Sequence, residues 1–156
     1  MSRAELIIKI LFLFMSVLCG CGQQAESSRI NELASKGKTF LLSQAVGNNW
    51  DRVFIFPPYS SISLICEKTL PRWTQCNNKF PHDTFNRGHL TEGDYYLVFV
   101  KDSVVTNAFT HNRSAHSFQT TKNPLIITKE SDEALVNKDG VIVFQSSGGD
   151  SNVYTK

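Results

Sequence analysis

The run Val53-Phe54-Ile55-Phe56 constrains the fold more than any other feature of the chain. A strand turns alternate side chains to opposite faces. Four consecutive strand-forming apolar residues therefore leave no face for water, and the run reads as a central strand covered on both sides. Pro57 and Pro58 end it, because neither can donate to a ladder. A second run, residues 94–100 (DYYLVFV), reads as another strand. Lys101-Asp102-Ser103 is a turn signal and Val104–Phe109 the next strand, so the two form a hairpin. Pro124-Leu125-Ile126-Ile127-Thr128 and Val141-Ile142-Val143-Phe144 are two further short strands, the last preceded by an Asn137-Lys138-Asp139-Gly140 turn.

Two segments carry helical periodicity. Over residues 29–46, Ile30, Leu33, Ala34, Phe40, Leu41 and Ala45 fall on one stripe, with Ser27 or Ser28 as cap and Gly47-Asn48-Asn49 as stop. Glu32 and Lys36 stand at i,i+4 on the opposite side. Over residues 61–70, Ile62, Ile65, Cys66 and Leu70 give an inner face, Ser60 or Ser61 a cap and Pro71 a stop. Residues 131–134 read as a helical turn, and residues 77–93 and 110–123 as polar and irregular. The expected class is α+β: a mostly antiparallel sheet with two helices packed on one face. It forms a single domain over residues 29–145, followed by a frayed tail, residues 146–156.

The N-terminus reads as a targeting segment. Arg3 and Lys9 precede an apolar run, residues 10–18, that is too short for the ~20 residues a membrane-spanning helix needs. Cys19-Gly20-Cys21-Gly22 and polar residues follow. Leu18-Cys19-Gly20-Cys21 resembles the bacterial lipobox: an aliphatic residue, a variable one, a small one and then the lipidated cysteine. The resemblance implies a signal peptide over residues 1–20, cleavage between Gly20 and Cys21, and acyl chains on Cys21 anchoring the protein to a membrane. Several chains are needed for stable anchoring, since one holds only weakly. Residues 21–28 then read as a lipidated polar tether. Gly22, where lipoproteins retained at the inner membrane often carry Asp, favours the periplasmic face of the outer membrane, with the inner membrane as the alternative.

Cys19 leaves with the signal and Cys21 takes the lipid, leaving Cys66 and Cys76. In an oxidising compartment a disulfide is the simplest outcome. Two free thiols or a metal pair are the alternatives, although the spacing matches no zinc signature. The formal charge is +2; without residues 1–20, which contain Arg3, Lys9 and Glu5, 14 basic and 13 acidic residues remain. A near-neutral domain without basic runs carries no footprint for nucleic acid. Eleven Phe, four Tyr and two Trp argue against wholesale disorder.

Trp50, Asp51, Arg52 and Tyr59 flank the Val53–Phe56 strand and are the candidates for a partner surface. The competing reading has Trp50 anchoring the helix–strand corner and Tyr59 packed beneath a rigid Pro57-Pro58 turn. His82, Asp83, His89 and Asp94 share one polar segment and could support acid–base chemistry in a hydrolase. Their spacing fits no metal motif, and these histidines, with His111 and His116, read as exposed loop residues. No catalytic residue, metal site or cofactor is expected.

The stretch WDRVFIFPPYS, with the later YYLVFV strand and the VV-x₃-F strand, resembles a group of small bacterial lipoproteins of unassigned activity, some carried by enterobacteria and their prophages. The resemblance covers roughly residues 18–110. It implies a lipid-anchored envelope protein with no active site to carry over, of a kind whose overproduction can provoke envelope stress. The lipid anchor on Cys21, the short tether and the lack of a catalytic constellation point to a non-enzymatic protein that binds an envelope protein or a cell-wall component. A protective or immunity factor of mobile-element origin is the other non-enzymatic reading.

Overall fold

The computed structural model describes residues 22–69, 73, 76–80 and 82–144. The segment 1–20, Cys21 and the tail 146–156 lie outside the described residues. The fold is α+β, dominated by two sheets in which most pairings are antiparallel.

The central sheet has the order β4-β3-β2-β6, built from β2 (Arg52–Phe56), β3 (Asp94–Lys101), β4 (Val104–Asn112) and β6 (Leu125–Thr128), all antiparallel. β2 lies inside it, between β3 and β6, as its unbroken apolar run demands. Alternation splits the sheet into two apolar faces. Val53, Ile55, Leu97, Phe99, Phe109 and Ile127 belong to one cluster. Phe54, Phe56, Tyr96, Val98, Val100 and Ala108 belong to the other.

The first face is covered by α1 (Gly22–Lys36), α2 (Leu42–Val46) and a second sheet, β1-β7-β8-β5. Its strands are β1 (Thr39–Leu41), β5 (Ser117–Phe118), β7 (Glu133–Val136) and β8 (Val141–Phe144). The opposite face is covered by α3 (Ile62–Thr69), the 3₁₀ turn Cys76–Lys79, Phe80 and Leu90. The helices, expected together on one face, are thus divided between two, because β2 and β3 are apolar at nearly every position and both faces need a cover.

The single helix expected over residues 29–46 is two helices with a strand between them. α1 begins at Gly22, so residues 22–28, expected as part of a tether, are helical. It ends at Lys36, where the Gly37 N–H donates to the Leu33 carbonyl. A side chain at 37 would stand 3.3 Å from the Thr39 carbonyl oxygen. Gly costs a helix interior about 1 kcal/mol, and β1 gains an antiparallel partner in β7. Tertiary pairing therefore outweighs the helical period. Neither Ser27 nor Ser28 caps this helix, since both lie inside it.

The helical turn expected at residues 131–134 is displaced: a 3₁₀ turn occupies Lys129–Ser131, and β7 follows from Glu133. Asp132 is buried and serves α2, its carbonyl and Oδ2 accepting the Leu42 and Ser43 N–H groups at 2.9 and 3.1 Å. An acidic group at a helix N-terminus meets the unpaired donors there.

α3 starts as expected, with Ser61 Oγ accepting the Leu64 N–H. The Cys66–Cys76 disulfide ties it to the 3₁₀ turn across a Cα–Cα distance of 5.6 Å. Trp73, inside the bridged loop, packs against the second cluster. Residues 77–93 are more ordered than expected: α4 spans His82–Arg87, and Leu90 N–H donates to Ser60 O. The β3–β4 hairpin closes through Asp102 and Ser103, both at positive φ (48° and 63°), the geometry that matches strand twist in two-residue loops.

Candidate functional site

β2 has a polar corner at each end, and the four residues expected on a partner surface are split between them. At its start Trp50 is buried, 3 % exposed. Its Nε1–H donates to the Gly47 carbonyl at 2.9 Å, its ring meets Phe99 edge-on, and Lys129 Nζ stands 4.3 Å from its centroid. Trp50 is thus a corner anchor. Asp51 Oδ2 accepts the Asp102 N–H at 2.8 Å and so pins the β3–β4 turn. Arg52 pairs in the sheet opposite Val100 and Thr128 and is half-buried.

Tyr59 differs. It sits past the far end of β2, 64 % exposed, with its backbone at φ 65°. It is not packed beneath the turn. Ser60 holds the corner from inside, its hydroxyl donating to Pro57 O at 2.7 Å. The result is a large aromatic presented to solvent by a left-handed residue, a conformation that favours glycine. Such outliers gather where a surface is used.

The histidine segment does not assemble a hydrolase site from its described side chains. His89 Nδ1–H donates to the Leu90 carbonyl at 3.0 Å. Asp94 takes the Thr91 hydroxyl on one oxygen and Asn112 Nδ2 on the other at 3.2 Å, which spends it on the start of β3. The side chains of His82 and Asp83 lie outside the described residues. No group of three or more His, Cys, Asp or Glu among the described residues is placed to hold a metal ion. No helix among them is long and apolar enough to cross a membrane.

A polar constellation that residue spacing did not announce lies under α1. His111, expected as an exposed loop residue, is fully buried on β4. Its Nε2–H donates to the His116 carbonyl at 3.1 Å, because a carbonyl only accepts. Nδ1 is then left to accept the Ser27 hydroxyl at 3.0 Å. Phe118 covers the ring at 4.9 Å. Desolvation holds the imidazole below its ordinary pKa, against the opposing bond to His116. Two turns along α1, Ser35 Oγ meets His116 Nε2 at 3.0 Å while His116 Nδ1–H donates to Gly140 O at 2.9 Å. Asn31 O, 2.8 Å from Ser35 Oγ, competes with His116 Nε2 for the one hydroxyl hydrogen. The missed signal was alternation: β4 runs on to Asn112, so His111 shares the inward face with Phe109.

Comparisons with protein families, with curated proteins and with solved structures found no match.

Proposed function

We propose that the protein is a lipid-anchored protein of the cell envelope, held through acyl chains on Cys21, that binds another envelope protein or a cell-wall component and performs no catalysis. The observation that carries this reading is Leu18-Cys19-Gly20-Cys21 at the end of an apolar run with a basic start. A Cys66–Cys76 disulfide suits an oxidising compartment. Helix α1 starts at the residue after Cys21 and is already buried at Ser27 and Ile30. A lipid at Cys21 would therefore hold the body of the domain close to the bilayer. Gly22 favours the periplasmic face of the outer membrane. The Tyr59 corner is the surface offered to the partner, since Trp50 is buried and Asp51 is engaged in the hairpin turn.

Membrane fractionation with mass spectrometry of the mature N-terminus tests the anchor. The expected product begins at an acylated Cys21 and sediments with membranes, whereas Cys21→Ala abolishes both modification and sedimentation. A soluble chain with an unmodified Cys21 would refute the anchor. A photo-crosslinking residue at position 59 tests the binding surface, with a discrete adduct expected in the envelope fraction.

A further inference from the structure

Helix α1 is joined to the domain by two serine–histidine bonds that are not chemically equivalent. At its N-terminal half Ser27 meets His111, which has no exposure. At its C-terminal half Ser35 meets His116, which is partly exposed. Both rings give one N–H to a backbone carbonyl, so each has a single nitrogen left to face its serine.

A proton added to each ring has different consequences. On His116 it falls on Nε2, which then donates to Ser35 Oγ and leaves the one Ser35 hydroxyl hydrogen, for which the neutral ring and Asn31 O compete, to Asn31 O. That joint survives protonation. On His111 the proton creates a cation in a fully buried ring, covered by Phe118 and two positions along β4 from the core residue Phe109. The ionisable groups on the elements around it are few. On α1, Glu26 directs Oε1 to Asn107 Nδ2 at 3.4 Å. On β3, Tyr95 donates its hydroxyl to Phe118 O at 2.9 Å. In the loop after β4 are Arg113, paired with Glu92, and His116. β5 offers the aromatic ring of Phe118. No carboxylate bonds to the imidazole, so the cation is relieved by admitting water, and the cover that can lift is the N-terminal half of α1.

We propose that α1 is an acid-released strap: protonation of His111 frees its N-terminal half, residues 22–30, while the Ser35–His116 joint retains the C-terminal half. The buried imidazole binds protons more weakly than a solvated one, so the open state gains the proton and acid drives opening. Above about pH 6.5 both states are neutral at this ring and the strap stays closed. Below that value each pH unit raises the open-to-closed ratio by about tenfold, until the buried ring protonates in place. The proposal concerns the folded domain and holds whether or not Cys21 carries lipid.

The test is hydrogen exchange of the full chain in detergent micelles between pH 7.5 and 5.0, corrected for the intrinsic pH dependence of exchange. Amides of residues 26–30 are expected to lose protection by about tenfold per pH unit below about 6.5, with β2 and β3 unchanged. His111→Gln keeps a neutral polar side chain that takes up no proton, and its α1 protection is expected to be flat over this range. Should that variant not fold, an imidazole titration of the unmodified chain by NMR decides the matter: the His111 signal must move together with the α1 exchange. Protection that stays flat in the unmodified chain, or that falls equally in β2 and β3, would overturn the strap.

Discussion

Tyr59 holds a backbone conformation that costs an L-residue about 1–2 kcal/mol, and its side chain recovers little of that by packing because most of it faces solvent. Tyr59→Gly is therefore expected to raise stability by about 1 kcal/mol, read as a higher urea midpoint with an unchanged slope. A lowered midpoint would mean that the ring contributes to folding after all. Single residues were the least legible level of this chain. Pro57-Pro58 announced a turn but gave no sign of the handedness at Tyr59. His111 looked like a loop residue because Thr110, Asn112 and Arg113 around it are polar. Its alternation with Phe109 was readable once β4 was allowed to run through Asn112.

Among the elements, the strands of the central sheet were legible because their side chains leave no choice. β2 and β3 are apolar at nearly every position, and only a doubly covered sheet accepts that. Helix α3 was legible for a different reason, a serine cap followed by a short apolar face. The division of residues 29–46 was not, because β1 has three residues and exists through its pairing with β7, far along the chain. The covalent tie from α3 to the 3₁₀ turn closes a short loop, Cys66 and Cys76 being 10 positions apart. The double variant Cys66→Ser, Cys76→Ser is expected to lose about 2–3 kcal/mol by the loop-entropy estimate. Most of that loss arises in the unfolded chain, so near-ultraviolet circular dichroism of the folded variant should match the parent. Loss of the α3 layer at neutral pH without denaturant would show instead that the bridge holds the helix in place.

For the molecule as a whole, the two apolar clusters make stability sensitive to alkali. Burial raises the pKa of both Tyr95 and Tyr96, the latter lying within the second cluster. A phenol whose folded value is raised contributes fully below its unfolded value, about 10. Its contribution is lost as pH climbs through the folded value, because the unfolded chain releases its proton first. Urea midpoints should therefore be level from pH 8 to about 9.5 and fall above 10, and Tyr96→Phe should flatten part of that fall. A midpoint that stays level to pH 11 would contradict the burial of these hydroxyls. The second sheet has a consequence in time. Its order, β1-β7-β8-β5, interleaves the earliest strand with the last two, so β1 has no partner until residues 133–135 have been synthesised. A chain emerging from the ribosome must wait for nearly its whole length before that layer closes. Until that late closure the polypeptide stays a slack thread, and only afterwards is it drawn into a folded body.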